Sequence, residues 1–257
     1  MAKTVYISML EKDEAKGKNL FSTITRYGLA VKGHFWSDNM EKMEWAGPIP
    51  EMCAEDVGVW LIKGSLESYS SDKTLCGLSL LASVLFTRKG RNFPIILLCD
   101  DGVIDPLSLP TILQHAEYVE QEKLGAKLAA KANIPLKRDM EYRLDLHPLP
   151  GLGLWFEIGP SKGANWQGAM FGVSGDADIA AHGVGSAGQL PKSCVLNYPM
   201  QGIKLELNNE LYLSWATKNL LSNGESYYVK VTGFPKSIVF GEYDESDSAE
   251  LYSFKLY

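Results

Sequence analysis

The sequence predicts two halves of different class: an α/β half built on a parallel sheet covered on both faces, then an antiparallel β-rich half. Three observations carry this. Short apolar runs alternate with longer helical patterns up to about residue 140, the pattern of strands joined by crossover helices. Beyond about residue 142, glycine becomes dense between Gly151 and Gly188 and long amphipathic patterns nearly vanish. The charge balance also shifts, from 17 Lys and Arg against 18 Asp and Glu in residues 1–140 to 8 against 13 in the remainder. Pro148, Pro150 and Gly151 punctuate the junction, so the expected domains are 1–138 and 142–257.

In the first half, Thr4–Ser8 reads as a short buried strand from its β-branched content. Leu20, Ile24 and Tyr27 give residues 14–28 a helical spacing. Leu29–Phe35 and Val57–Ile62 are the second and third strands. Leu75, Leu78, Leu81, Ala82 and Leu85 predict a helix over 72–87 with a broad apolar face, capped by Asp72. Phe93–Leu98 is the fourth strand, residues 116–119 a short fifth, and Gln121–Asn133 the last helix. Ligands of such sheets sit at the carboxyl ends of the strands, which brings Ser8–Glu14, His34–Gly47 and Gly64–Ser71 to one rim.

In the second half, the candidate strands are Leu154–Ile158, Met170–Val173, Val195–Tyr198, Ile203–Leu207, Tyr227–Val231, Ile238–Phe240 and Tyr252–Leu256. Frequent turn signals between them suggest a sandwich or barrel-like domain. Residues 210–221 fit a helix or another strand. The acidic run Glu242–Glu250 is expected to be a solvated hairpin loop.

The chain has 257 residues, 46% hydrophobic and 22% charged, with a formal net charge of −6. This is a globular composition, and the acidity disfavours a nucleic-acid partner. The four cysteines, Cys53, Cys76, Cys99 and Cys194, show no metal-ligand spacing and are expected to be reduced thiols. The histidines show no metal spacing either, and no metal site is expected. No signal peptide fits the N-terminus, and no run approaches the ~18 apolar residues of a membrane span. The expected location is the cytoplasm, with no membrane partner.

Several pieces of the first half, in order, resemble the TIR-domain family over roughly residues 3–133. VYISMLEKDEA is similar to the family's opening strand and its loop with an acidic residue, here Asp13. HFWSDNMEKMEWAGPIPEMCAEDVGVWLIKGS resembles the long loop after the second strand, a short helix and the third strand. SLESYSSDKTLCGLSLLAS looks like the family's Ser-x-x-aromatic-x-x-Ser segment and Cys-led helix, and FPIILL with LPTIL like the fourth strand and the loop beyond.

The resemblance implies a flavodoxin-like, doubly wound sheet. It also implies a signalling or defence role, self-association into a homo-oligomer, and NAD or a related nucleotide as ligand or substrate. Active members cleave the nicotinamide–ribose bond with a glutamate three residues after the helix cysteine. From Cys76 that position is Ser79, and a hydroxyl cannot supply the negative charge that an oxocarbenium-like ribose needs. The expectation is therefore a domain that binds a nucleotide-like ligand or protein partners without catalysis. The alternative is an NAD glycohydrolase with Glu67 or Asp38 as the acid, and a third reading is an interaction module.

The candidate ligand-binding residues are Ser8, Glu11, Asp13, Trp36, Ser37, Asp38, Ser65 and Ser79. Trp36, Ser37 and Asp38 combine an aromatic face with groups suited to base and ribose, or anchor their own loop. Ser8, Glu11 and Asp13 follow the first strand, where phosphate or ribose contacts are made, or else begin a helix. Ser65, Ser68, Ser70 and Ser71 form a hydroxyl-rich loop that can equally be a solvated turn. In the second half, Trp155, Glu157, Trp166, Phe171 and Trp215 line either a β core or a cleft for a small ligand or protein partner. His182, Asp178 and Cys194 could be assembled into a triad, although no nucleophile elbow accompanies them.

Overall fold

The computed structural model describes residues 2–244 and 250–257, so most of the acidic segment expected as a hairpin loop lies outside the described residues. The chain divides into two compact units, Met1–Arg138 and Asp139–Tyr257.

The first unit carries β1 (Thr4–Met9), α1 (Glu14–Thr25), β2 (Ala30–Phe35), α2 (Ile49–Met52), β3 (Val57–Gly64), α3 (Asp72–Lys89), β4 (Ile95–Cys99), β5 (Glu117–Tyr118) and α4 (Leu124–Lys131). All five strands are parallel in the order β2-β1-β3-β4-β5, the flavodoxin-like doubly wound order. From β1 the chain steps outward to β2, and from β3 it steps the opposite way to β4. Right-handed crossovers therefore set α1 and α3 on opposite faces.

Alternate residues of β1 separate accordingly. Val5, Ile7 and Met9 join Leu20 and Ile24 of α1 and Leu124 and Leu128 of α4 in one core. Tyr6 and Ser8, also buried, face the other way. α3 is buried from Thr74 to Phe86, more completely than the broad apolar face predicted for it. Its N-cap is Ser71, whose hydroxyl accepts from the Thr74 N–H; Asp72, expected in that role, is the first helical residue. The last predicted helix begins as a 3₁₀ turn, Gln121–Lys123, before α4.

The second unit is a seven-stranded antiparallel sheet: β6 (Tyr142–Leu149), β7 (Gly153–Pro160), β8 (Ala169–Ser186), β9 (Met200–Leu207), β10 (Glu210–Thr217), β11 (Glu225–Glu242) and β12 (Leu251–Lys255). Its order is β6-β7-β11-β8-β10-β9, with β12 also on β11. One open choice is settled and two expectations are corrected. Residues 210–217 form a strand, because Tyr212, Ser214 and Ala216 alternate into the interior. Val195–Tyr198 is loop, and Tyr227–Val231 and Ile238–Phe240 belong to one long strand.

β8 and β11 run together for 18 residues each and bend near Gly175 and Gly233, both at φ +76°. A side chain at Gly233 would meet the Asp176 carbonyl at 2.1 Å, so only glycine fits this bend. The bend folds the sheet over an aromatic core. Phe156 of β7 packs on Phe171 of β8 at 4.9 Å between ring centroids, and Tyr142 of β6 packs on Phe240 and Tyr252 at 5.1 and 4.4 Å.

Candidate functional site

The reversal of strand order between β1 and β3 opens a crevice at the carboxyl ends of these two strands, the usual ligand position in an open α/β sheet. The ladder extends one step past the strands: the Leu10 N–H donates to the Lys63 carbonyl, Trp36 N–H to Met9 and Asp100 N–H to Gly64. Glu11, Ser65 and Asp100 thus emerge side by side.

Glu11 stitches the crevice. Its Oε1 accepts from the Ser65 N–H at 2.9 Å, from the Ser65 hydroxyl at 2.6 Å, and from the Ser68 hydroxyl. Partial burial pushes this carboxyl up, but the Ser65 and Ser68 hydroxyls, the Ser65 N–H and the Lys63 charge outweigh it and hold it below the usual range. Lys63, whose side chain is 6% exposed, pairs with Asp100, and Lys16 of α1 reaches the other oxygen of Asp100 at 2.9 Å. Burial opposes ionisation of Asp100, and the two lysines more than offset it. Asp101 accepts from the Leu66 N–H at 2.8 Å and the Cys99 thiol at 3.3 Å.

The remaining rim candidates are placed differently. Asp13 caps α1, accepting from the Lys16 N–H at 2.9 Å. Trp36 lies on α3, where a side chain at Gly77 would come within 2.8 Å of its ring. Asp38 accepts from the Trp36 indole at 2.9 Å and from the Thr74 hydroxyl at 2.9 and 3.0 Å, beside the positive end of α3. The Ser37 hydroxyl accepts from the Asn39 N–H at 3.4 Å. Ser8 and Ser79 are both at 0% exposure. Ser8 accepts from the Trp60 indole at 2.9 Å, and Ser79 lies inside the packing of α3, near Cys76, whose thiol burial pushes up to about 12. Glu67 is exposed.

The structure therefore brings Glu11 and Ser65 together, and Trp36 with Asp38, while Ser8 and Ser79 belong to the interior. Lys63, Asp100 and Lys16 complete the rim network without having been candidates for it, and Ser68 joins it from the hydroxyl-rich loop. A signal existed: VGVWLIKG and FPIILLCD are apolar runs that end in opposite charges, and parallel register sets those ends side by side.

Beside the crevice, between α1 and the β1–β2 edge, lies a cavity of about 410 Å³. Ile7, Met9, Phe21 and Phe35 give it apolar walls, and Glu14 and Lys18 are its charged lining groups. Phe21 and Phe35 are each 38% exposed. His34 also borders it, but its ring is turned to the other face of the sheet, 5.7 Å from the Tyr6 ring and 5.9 Å from that of Trp36. Burial pushes this imidazole down to about 4, so it is neutral at pH 7, and its buried Nδ1 has no hydrogen-bond partner among the described residues. Apolar walls with a few polar groups suit a planar aromatic ligand.

In the second unit, Glu157 is 1% exposed and accepts from His147 Nε2 at 2.7 Å, the Ser226 hydroxyl at 2.7 Å and the Gly188 N–H at 2.8 Å. Arg143 Nε stands 3.5 Å away. Burial pushes this carboxyl up, yet the donors from His147, Ser226 and Gly188 hold it below its usual value. The Ser226 hydroxyl serves the carboxylate rather than the imidazole, so no nucleophile is activated here. His182 Nδ1 shares a hydrogen bond with the Tyr227 hydroxyl at 2.6 Å, and its ring meets Trp215 edge-on at 4.9 Å. Cys194 lies against Gly183, on the face of β8 opposite His182, and Asp178 accepts from its neighbour Ile179. The triad drawn on paper is not assembled. Among the described residues no group of three or more His, Cys, Asp or Glu is arranged to hold a metal ion, and no helix is long and apolar enough to cross a membrane. The chain matches no family model, and no curated protein matches it significantly.

Proposed function

We propose that the first unit is a TIR-like module that binds a nucleotide-like ligand, NAD or a relative of it, without cleaving it, in a signalling or defence role. The observation that carries this reading is the state of the rim carboxylates. Glu11, Asp13, Asp38, Asp100 and Asp101 each accept hydrogen bonds from the chain itself. Such acids brace loops, and stabilising a developing positive charge on ribose needs a carboxylate aimed at the substrate. The position that holds the acid in active TIR enzymes is Ser79, at 0% exposure. The cavity beside the crevice gives an aromatic base a place between Phe21 and Phe35.

Calorimetric titration of the full chain with NAD and ADP-ribose tests this. Saturable binding that Phe35→Asp weakens at least tenfold supports the reading; no binding of either nucleotide overturns it.

A second reading, self-association, is favoured by one observation. β2 is an edge strand whose residues are exposed or half-buried throughout, and such an edge can pair with another chain. A mass from light scattering above that of the monomer, restored to monomer by Val31→Pro, whose N–H points away from β1, is its signature.

A further inference from the structure

The buried stripe of α1 has a gap. Its members are Gly17, Leu20 and Ile24, spaced to share one helical face, and the first has no side chain. The backbone does not call for glycine there. Gly17 is not at positive φ, and its N–H donates to the Asp13 carbonyl at 2.9 Å as in any helix. A β-carbon at this position would meet only the Met9 sulfur, at 3.2 Å. By contrast, Gly33 is fixed by β1, since a β-carbon there would stand 2.6 Å from the Ile7 carbonyl, and Gly125 of α4 is fixed by the Tyr27 ring at 2.1 Å. Glycine within a helix is less favourable than alanine, so Gly17 carries a cost that the fold does not require.

What Gly17 opens is the cavity of about 410 Å³ between α1 and the β1–β2 edge. Gly17 and Met9 both line it, with Ile7, Phe21 and Phe35. Met9 is 6% exposed and belongs to the core of this face, so the free space beside it is the cavity. A methyl group at residue 17 would push the adaptable thioether into that space.

The lining also discriminates between the two rings of NAD. Lys18 Nζ and the Glu14 carboxylate stand 3.9 Å apart, with side chains 83% and 69% exposed, so they offset each other in solvent and leave no unpaired carboxylate over the apolar walls. The nicotinamide ring of NAD is positively charged. Burying a charge without a counter-charge costs more than aromatic walls return. Adenine is flat and uncharged, and meets no such penalty.

We propose, resting on the nucleotide reading above, that the cavity takes the adenine ring of an adenine nucleotide and that Gly17 is the residue that makes room for it. The ligand class is then adenine nucleotides in general. The nicotinamide–ribose bond of NAD stays outside the cavity, in keeping with a site that binds NAD and leaves it whole.

The test is calorimetric titration of the full chain with AMP, nicotinamide mononucleotide and NAD. AMP and NAD should bind with dissociation constants within about fivefold of each other, and nicotinamide mononucleotide at least roughly tenfold more weakly. Gly17→Ala should weaken AMP by about tenfold or more, while its Tm stays at or above that of the parent chain. Adding Met9→Val, a shorter side chain suited to a strand, should restore most of that affinity. NAD binding without AMP binding, or nicotinamide mononucleotide binding as well as AMP, would overturn the adenine assignment and leave the nucleotide reading standing. Binding of none of the three would overturn both. A folded Gly17→Ala variant that binds AMP as the parent chain does would refute the role of Gly17.

Discussion

Replacing Glu157 with alanine removes the acceptor at the centre of the second unit's buried polar network, and the loss can be worked from its partners. The carboxylate is 1% exposed and serves His147, Ser226 and the Gly188 N–H within 2.8 Å, with Arg143 at 3.5 Å. Alanine leaves the Ser226 hydroxyl, the Gly188 N–H and the His147 ring without their acceptor, and Arg143 without a counter-charge. An uncompensated partner of a buried pair costs about 3–5 kcal/mol, and each orphaned neutral donor about 1 kcal/mol or more. These terms overlap, because the neighbours relax and water enters, so the expected loss is about 4 kcal/mol. That is a large part of the roughly 5–15 kcal/mol that stabilises a domain, and it corresponds to a fall in Tm of about 15 °C.

The pH dependence has a definite sign. The folded carboxyl titrates below its usual value, so its contribution is complete above the unfolded value of about 4.3 and is lost as pH falls through the depressed folded one. Urea unfolding followed by tryptophan fluorescence at pH 7 and pH 3.5, with hydrogen exchange at Ser186–Gln189 as the local probe, measures both. Wild type should lose stability between these pH values, while Glu157→Gln should start lower and lose less. A Glu157→Ala variant within 1 kcal/mol of wild type at pH 7 would refute the reasoning.

Three further outcomes are expected. Glu11→Ala should cost only about 1–2 kcal/mol, because its carboxylate is more solvated than that of Glu157, while hydrogen exchange at Ser65 rises by an order of magnitude or more. His34 titrates near 4 in the folded chain, so protonation disfavours folding. The stability of the first unit should fall by up to about 3 kcal/mol as pH drops from 6.5 towards 4, and His34→Phe should flatten that slope in chemical denaturation. Ser79→Glu should cost about 3 kcal/mol or more, since it buries an unpaired carboxylate. It should therefore lower the Tm of the first unit without producing nicotinamide.

The alternation of strands and helices was legible because a buried parallel strand writes itself as a continuous apolar run. VYIS, VGVWLI and PIILL carry that signature, and β1 and β3 are buried along their whole length. β6 was missed: its apolar positions, Leu144 and Leu146, alternate with the charged and polar Arg143, Asp145 and His147, a half-buried pattern too short to stand out beside two prolines. β8 and β11 looked broken because glycines interrupt their apolar pattern, yet those glycines are the bend that lets one strand serve both sides of a core.

At the rim, Glu11 and Ser65 were readable from their place after strands. The pairing of Lys63 with Asp100 depends on parallel register, which a single sequence does not reveal. Ser8 read as a rim group because it ends the first strand, and Ser79 because it stands three residues after Cys76, but each is a small hydroxyl at 0% exposure.

The central claim is that the first unit binds a nucleotide without breaking it. It is tested most directly by incubating the purified full chain with NAD at a saturating concentration for many hours and following free nicotinamide by chromatography, beside a heat-inactivated control and an active NAD glycohydrolase in the same buffer. The account predicts nicotinamide at the level of the inactivated control, with NAD recovered intact from the protein. Nicotinamide release above that control, abolished by replacing Glu67 or Asp38, would contradict it and make the chain an enzyme.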